Sequence, residues 1–155
     1  MEKAKKEIPV SKVLEAFTAI ADQRVAKDDD QTFLVTSSDR SKEYTVKVDG
    51  VCYSSNDNAT YWQHYAGYPI IAVLIFTGKI PLECPDLKVF RNIPWKALNT
   101  ANHNRYDLST KDAFAKLDPA KVDGIISSAK RTITDIGNLG IAVKGNREKI
   151  ITTQD

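Results

Sequence analysis

The chain has 155 residues, 42% of them hydrophobic and 27% charged, with a formal net charge of +2 at pH 7. That is the composition of an ordinary soluble globular chain, long enough to bury a real core. The near-balanced charge argues against a dedicated nucleic-acid binder, the longest apolar run (Pro69 to Phe76) is far short of the ~20 residues that span a bilayer, and two cysteines make no disulfide framework. MEKAKKEIPV, at the start, has lysines without the apolar stretch of a signal peptide. The expectation is one domain over residues 1–155, frayed at about 1–8 and 145–155, in a reducing cytoplasm and not in a membrane.

The first predicted element is a helix from Ser11 to Ala26, with Ser11 as its cap. Val13, Leu14, Phe17, Ile20, Ala21 and Val25 recur at three- and four-residue spacing and form its apolar face. Asp28 to Asp30 reads as a solvated turn. Strands are expected at Thr32–Thr36, Tyr44–Val48 and Val51–Ser54, because these runs are β-branched and aromatic and are separated by polar or Asp-Gly turns. A helix should start at Asn56 or Asp57 and run to Ala66, closed by a left-handed Gly67. Ile70 to Thr77, after Pro69 and before Gly78, reads as a second helix, with a buried strand as the alternative. Ile70, Ile71, Val73, Leu74 and Phe76 are assigned to the core.

Pro81, Pro85 and Pro94 mark a connector anchored by Leu82, Leu87, Val89, Phe90 and Ile93. A short helix begins at Pro94–Leu98 and is ended by the loop-forming Asn102–Asn104, helices follow at about Thr110–Lys116 and Pro119–Leu139, and Ile141–Val143 could add an edge strand. The fold class expected is α+β: a small antiparallel meander packed against an N-terminal helix and a helical C-terminal half.

The strongest functional suspicion falls on residues 54–68. Asn56, Asp57 and Asn58 are cap-forming, and Tyr61, Trp62, His64, Tyr65 and Tyr68 follow closely. A helix start beside Ser54 and Ser55 would offer N–H groups to a phosphate or carboxylate, and the aromatic faces would stack on a base, a sugar or a cation. The bland alternative is that Asp57 or Asn56 only caps and the aromatics only fill space. His64 with Asp57, assisted by Ser55, is the weak catalytic candidate, although two helical turns separate them. Cys52 and Cys84 have no activating neighbour. Cys52-x-Ser54 and Trp62-x-His64 resemble in spacing the zinc motif of SWIM domains, but two of the four ligand positions do not match, so no metal is expected.

These residues point to a non-enzymatic binding or interaction module that holds an unknown protein or a small anionic ligand, without a cofactor. A small enzyme on a polar metabolite, with His64 as acid/base, is the alternative. A second is a nucleic-acid accessory protein using the basic residues of the C-terminal helices with Trp62 or Trp95. Residues 91–155 carry 11 basic and 7 acidic side chains, against 11 and 13 before them. A homodimer could form through Val122–Ile136 if that stripe were left uncovered.

Overall fold

A computed structural model describes residues 7–84 and 86–152. Helix α1 (Val10–Ala21) opens the fold and leads into four strands: β1 (Val25–Asp29), β2 (Thr32–Thr36), β3 (Lys42–Asp49) and β4 (Cys52–Ser55). A helical half follows: α2 (Asn58–Gln63), α3 (Tyr68–Phe76), a 3-10 turn (Leu87–Phe90), α4 (Trp95–Ala101), α5 (Tyr106–Ala113) and α6 (Pro119–Leu139). Two short strands end it, β5 (Ala142–Gly145) and β6 (Ile151–Thr152). The class is α+β, with a mostly antiparallel sheet of six strands.

The first helix stops five residues earlier than its pattern suggests. Gln23 takes a left-handed backbone (φ 55°), and the Gln23 and Arg24 N–H groups donate to the carbonyls of Ile20 and Ala19 at 3.1 and 2.9 Å. Val25 therefore starts β1 instead of completing a helical stripe, and it pairs with Val35. Charged Lys27, Asp28 and Asp29 are exposed there, as befits an edge strand, and so the strand shows no alternating pattern. Nor does Ser11 cap α1. Pro9 precedes the first turn, and Ser11 lies buried within it.

The sheet runs β1-β2-β3-β4-β5. Strands β1 to β4 form an antiparallel meander, and β5 returns parallel to β4, with Tyr53 opposite Val143. Strand β6 pairs with the start of β3, Glu43 opposite Ile151. Residues of the C-terminal end that was expected to fray are thus hydrogen-bonded to the sheet. The Asn146 side chain donates to the Thr45 carbonyl and to Ser54 Oγ, both at 3.2 Å, and Asn56 donates to the Glu148 carbonyl at 3.0 Å. Residues 153–155, and residues 1–6 of the expected N-terminal fray, lie outside the described residues. Ile8 packs against the core.

Helix α3 decides the ambiguous apolar run. Pro69 to Ile75 are buried all round between the sheet and α1, and a helix satisfies its own backbone polar groups without strand neighbours. Ile70, Ile71, Val73 and Leu74 are fully buried, each contributing roughly 1.5–3 kcal/mol of transfer free energy. Phe76, assigned to the core from sequence, is 49% exposed and only edges the Phe33 ring. Phe76 is the last residue of α3, two before the left-handed Gly78 (φ 75°).

The connector and later helices are fastened to α1 by aromatic edges. Phe17 meets Phe90 at 5.3 Å, Phe90 meets Phe114 at 5.7 Å, and Phe114 meets Trp95 at 6.1 Å between ring centroids. The Trp95 indole donates to Thr18 Oγ1 at 2.8 Å. Trp95 is therefore core and cannot stack on a nucleic acid. Leu82, expected as an anchor, is exposed. Helix α5 begins at Tyr106 rather than Thr110, because His103 and Asn104 adopt positive φ and turn the chain at once. Ile125, Ala129 and Ile136 of α6 are buried in the core and Val122 packs against it, so the stripe suggested for a homodimer is covered within one chain.

Candidate functional site

Asp57 is the cap of α2. Its Oδ2 accepts the Thr60 N–H at 3.1 Å, while Ser55 Oγ donates to Oδ1. The helix ends at Gln63 because His64 takes the left-handed conformation (φ 62°), three residues before Gly67. Gly67 is extended and precedes α3 instead. A Cβ there would lie 2.1 Å from Asp57 Oδ2, so glycine is required by close approach and not by handedness.

This geometry sorts the suspected residues. Asp57, Asn58, Trp62, Tyr65 and Tyr68 line one wall of a cleft of about 450 Å³. Asn56 does not: it is buried, and its Oδ1 accepts the Thr45 N–H at 2.9 Å, joining α2 to the sheet. Tyr61 faces β5, where a Cβ on Gly145 would lie 2.6 Å from its ring. His64 is exposed outside the lining, and Asp57 stands at the opposite end of α2, so the two make no dyad. Ser54 and Ser55 are buried outside the cleft lining, Ser54 Oγ accepting from Asn146 and Ser55 Oγ donating to Asp57. Among the described residues no group of three or more His, Cys, Asp or Glu could hold a metal. Cys52 and Cys84 are both free thiols.

The opposite wall and the floor come from places the sequence did not flag. Helix α1 contributes Lys12 and Glu15, the corner before β1 contributes Arg24, and α4 and α5 contribute Asn99 and Tyr106. Lys12, Glu15 and Arg24 are only 8%, 6% and 4% exposed. Lys12 Nζ lies 3.3 Å from Glu15 Oε2 and 4.3 Å from the centre of the Tyr106 ring. Asn99 Nδ2 donates to Glu15 Oε1 at 2.9 Å. The Arg24 guanidinium donates to the Thr36 carbonyl and stands 3.6 Å from Asp22. At the rim, Lys96 reaches Asp39 at 3.1 Å and Ser41 at 2.7 Å, holding α4 to the β2–β3 turn.

Burial sets the electrostatics of the floor. It pushes the Glu15 carboxyl upward, more than Lys12 and Asn99 pull it down. Burial works against the charge of Lys12, but Glu15, Tyr106 and Tyr65 outweigh it and raise its pKa, so Lys12 stays an ammonium and is no amine nucleophile. Burial, with Asp57 and Glu15, pushes Tyr44 up to about 12. Burial raises Tyr65 too, and raises Tyr68 far more. These phenols remain hydrogen-bond donors at neutral pH. Four cations (Lys12, Arg24, Lys42, Lys96) against two carboxylates (Glu15, Asp57) leave the lining at +2. Trp62, 67% exposed, stands at its mouth.

Residues 5–142 match the model of a family described as "Uncharacterised conserved protein UCP014422", and the chain belongs to that family. No curated protein matches the chain, and neither does any solved structure. No helix among the described residues is long and apolar enough to cross a membrane.

Proposed function

We propose that this member of the family is a cytoplasmic binding module that takes a small anionic ligand with a flat ring or sugar in the cleft between α1, α2 and α4. One observation carries this reading: Lys12, Glu15 and Arg24 are buried at the base of an open polar cavity instead of being solvated. Burying ions is costly, and a fold gains nothing in stability from gathering them beneath a cleft. Protonated phenols and the positive lining suit a phosphate or carboxylate, and Trp62 at the mouth suits a ring. Two unpaired thiols suit a reducing compartment. His64 has no part in it.

The test is titration of the intact chain with inorganic sulfate, adenosine and adenosine 5′-monophosphate, read by tryptophan fluorescence and amide chemical shifts. The monophosphate should bind more tightly than sulfate, and adenosine most weakly. Trp62→Ala should weaken the monophosphate by about 1–3 kcal/mol and leave sulfate unchanged. Equal affinity for adenosine and its monophosphate would defeat the reading, as would shifts that map outside the cleft.

A further inference from the structure

The pair at the base of the cleft poses a problem for any anion. Lys12 is the ammonium nearest the floor, but Glu15 is 3.3 Å away, and both side chains are about nine-tenths buried. An anion docked on Lys12 must lie close to the Glu15 carboxylate, where little solvent screens the two negative charges. Few other groups can relieve the conflict. Asn99 already donates to Glu15 Oε1 from α4. Asp57, ahead of α2, is a second negative charge facing Glu15. Tyr44 of β3, Tyr65 of the α2–α3 loop and Tyr68 of α3 surround the carboxylate as neutral phenols. Arg24 is committed to Thr36 and Asp22, and Tyr106 meets Lys12 through its ring face.

We propose that Glu15 decides which anions this cleft accepts: it takes up one proton from solvent as the anion docks on Lys12, and the neutral acid then donates a hydrogen bond to that anion. The inference rests on the anion-binding reading above. The Glu15–Lys12 contact opens, Lys12 turns its charge to the ligand, and no net negative charge is added to the floor. Binding is thus coupled to pH, stronger in acid, and favours anions whose oxygens can both accept from a carboxylic acid and pair with an ammonium.

Sulfate is the probe, since it does not itself titrate near neutrality. Calorimetry at pH 6 to 7.5, in two buffers of different ionisation enthalpy, should show net proton uptake on binding. Sulfate affinity should fall as pH rises, approaching tenfold per unit where uptake nears one proton. Glu15→Gln, close to isosteric, should bind sulfate at least as tightly, without uptake and with no pH slope. His64 and His103 are still present in that variant, so a slope arising from them would persist. No uptake in the wild-type chain, or an unchanged slope in E15Q, overturns the role of Glu15 alone. The calorimetry on the wild-type chain stands even if the variant folds poorly. If neither protein binds sulfate at tens of millimolar, the anion-binding reading itself fails.

Discussion

The two sides of α1 meet the rest of the molecule in opposite ways. Val13, Leu14, Ala16 and Phe17 belong to the core that α1 shares with α3, α6 and the 3-10 turn. Lys12 and Glu15, from the other face, are nearly as deeply buried, but beneath a cleft and among polar partners. One face gains free energy from water exclusion. The other gives some of it up by desolvating an ammonium and a carboxylate. Similar burial with opposite energetic sign is what separates the two faces, and it gives α1 a dual role as structural centre and cleft floor.

The widest break in that comparison should come from Phe17→Ala. It removes a fully buried ring that edges Phe90, and should cost about 3–5 kcal/mol in denaturant unfolding. On the polar face, Lys12→Met strands the Glu15 carboxylate. The loss should be about 3 kcal/mol, near the low end for a broken buried pair because Glu15 can protonate. Adding Glu15→Leu should then recover most of that stability while sulfate binding stays lost. No double substitution in the apolar face would behave so. If the double variant is less stable than Lys12→Met alone, the polar face is structural and the contrast collapses.

The smallest effect is the most specific. Burial lifts the Glu15 carboxyl above its ordinary 4.5, so the folded chain holds that proton to higher pH than the unfolded chain does. Stability therefore falls as pH rises from about 4.5 through the folded value, opposite in sign to a salt-bridged surface carboxylate. Asp39 provides that opposite case. Partial burial works upward, but hydrogen bonds from Ser41 and Ser37 and the nearby Lys96 hold its carboxyl low, so its contribution is lost on acidification. Unfolding curves for E15Q across pH 4 to 8 should lack the decline that the wild-type chain shows.

The meander, α3 and α6 were legible because their signals are local. Asp49-Gly50 sets one turn, Pro69 and Gly78 bracket α3, and Gly140 (φ 66°) closes α6. Strand β1 was not, because an exposed edge strand of charged residues shows no alternation. Of the cleft lining, Asp57, Asn58, Trp62, Tyr65 and Tyr68 lie in the 54–68 window, and most of the rest comes from outside it. Their neighbours stay outside for separate reasons: Asn56, ahead of the cap, accepts the Thr45 N–H, Tyr61 lies on the face of α2 toward β5, and His64 ends α2 in the left-handed conformation, exposed.

From sequence alone came the fold class, the apolar composition of α3 and a helix start at Asn56 or Asp57, all properties of contiguous residues and their backbone preferences. The identity of the cleft floor was decided only in three dimensions. Lys12 and Glu15 lie on what reads as an ordinary solvated helix face, and nothing near them in the chain says otherwise. They are buried because Asn99 and Tyr106, more than eighty residues away, fold across them. Burial is set by what arrives from elsewhere in the chain, and with it the charge state that makes a site.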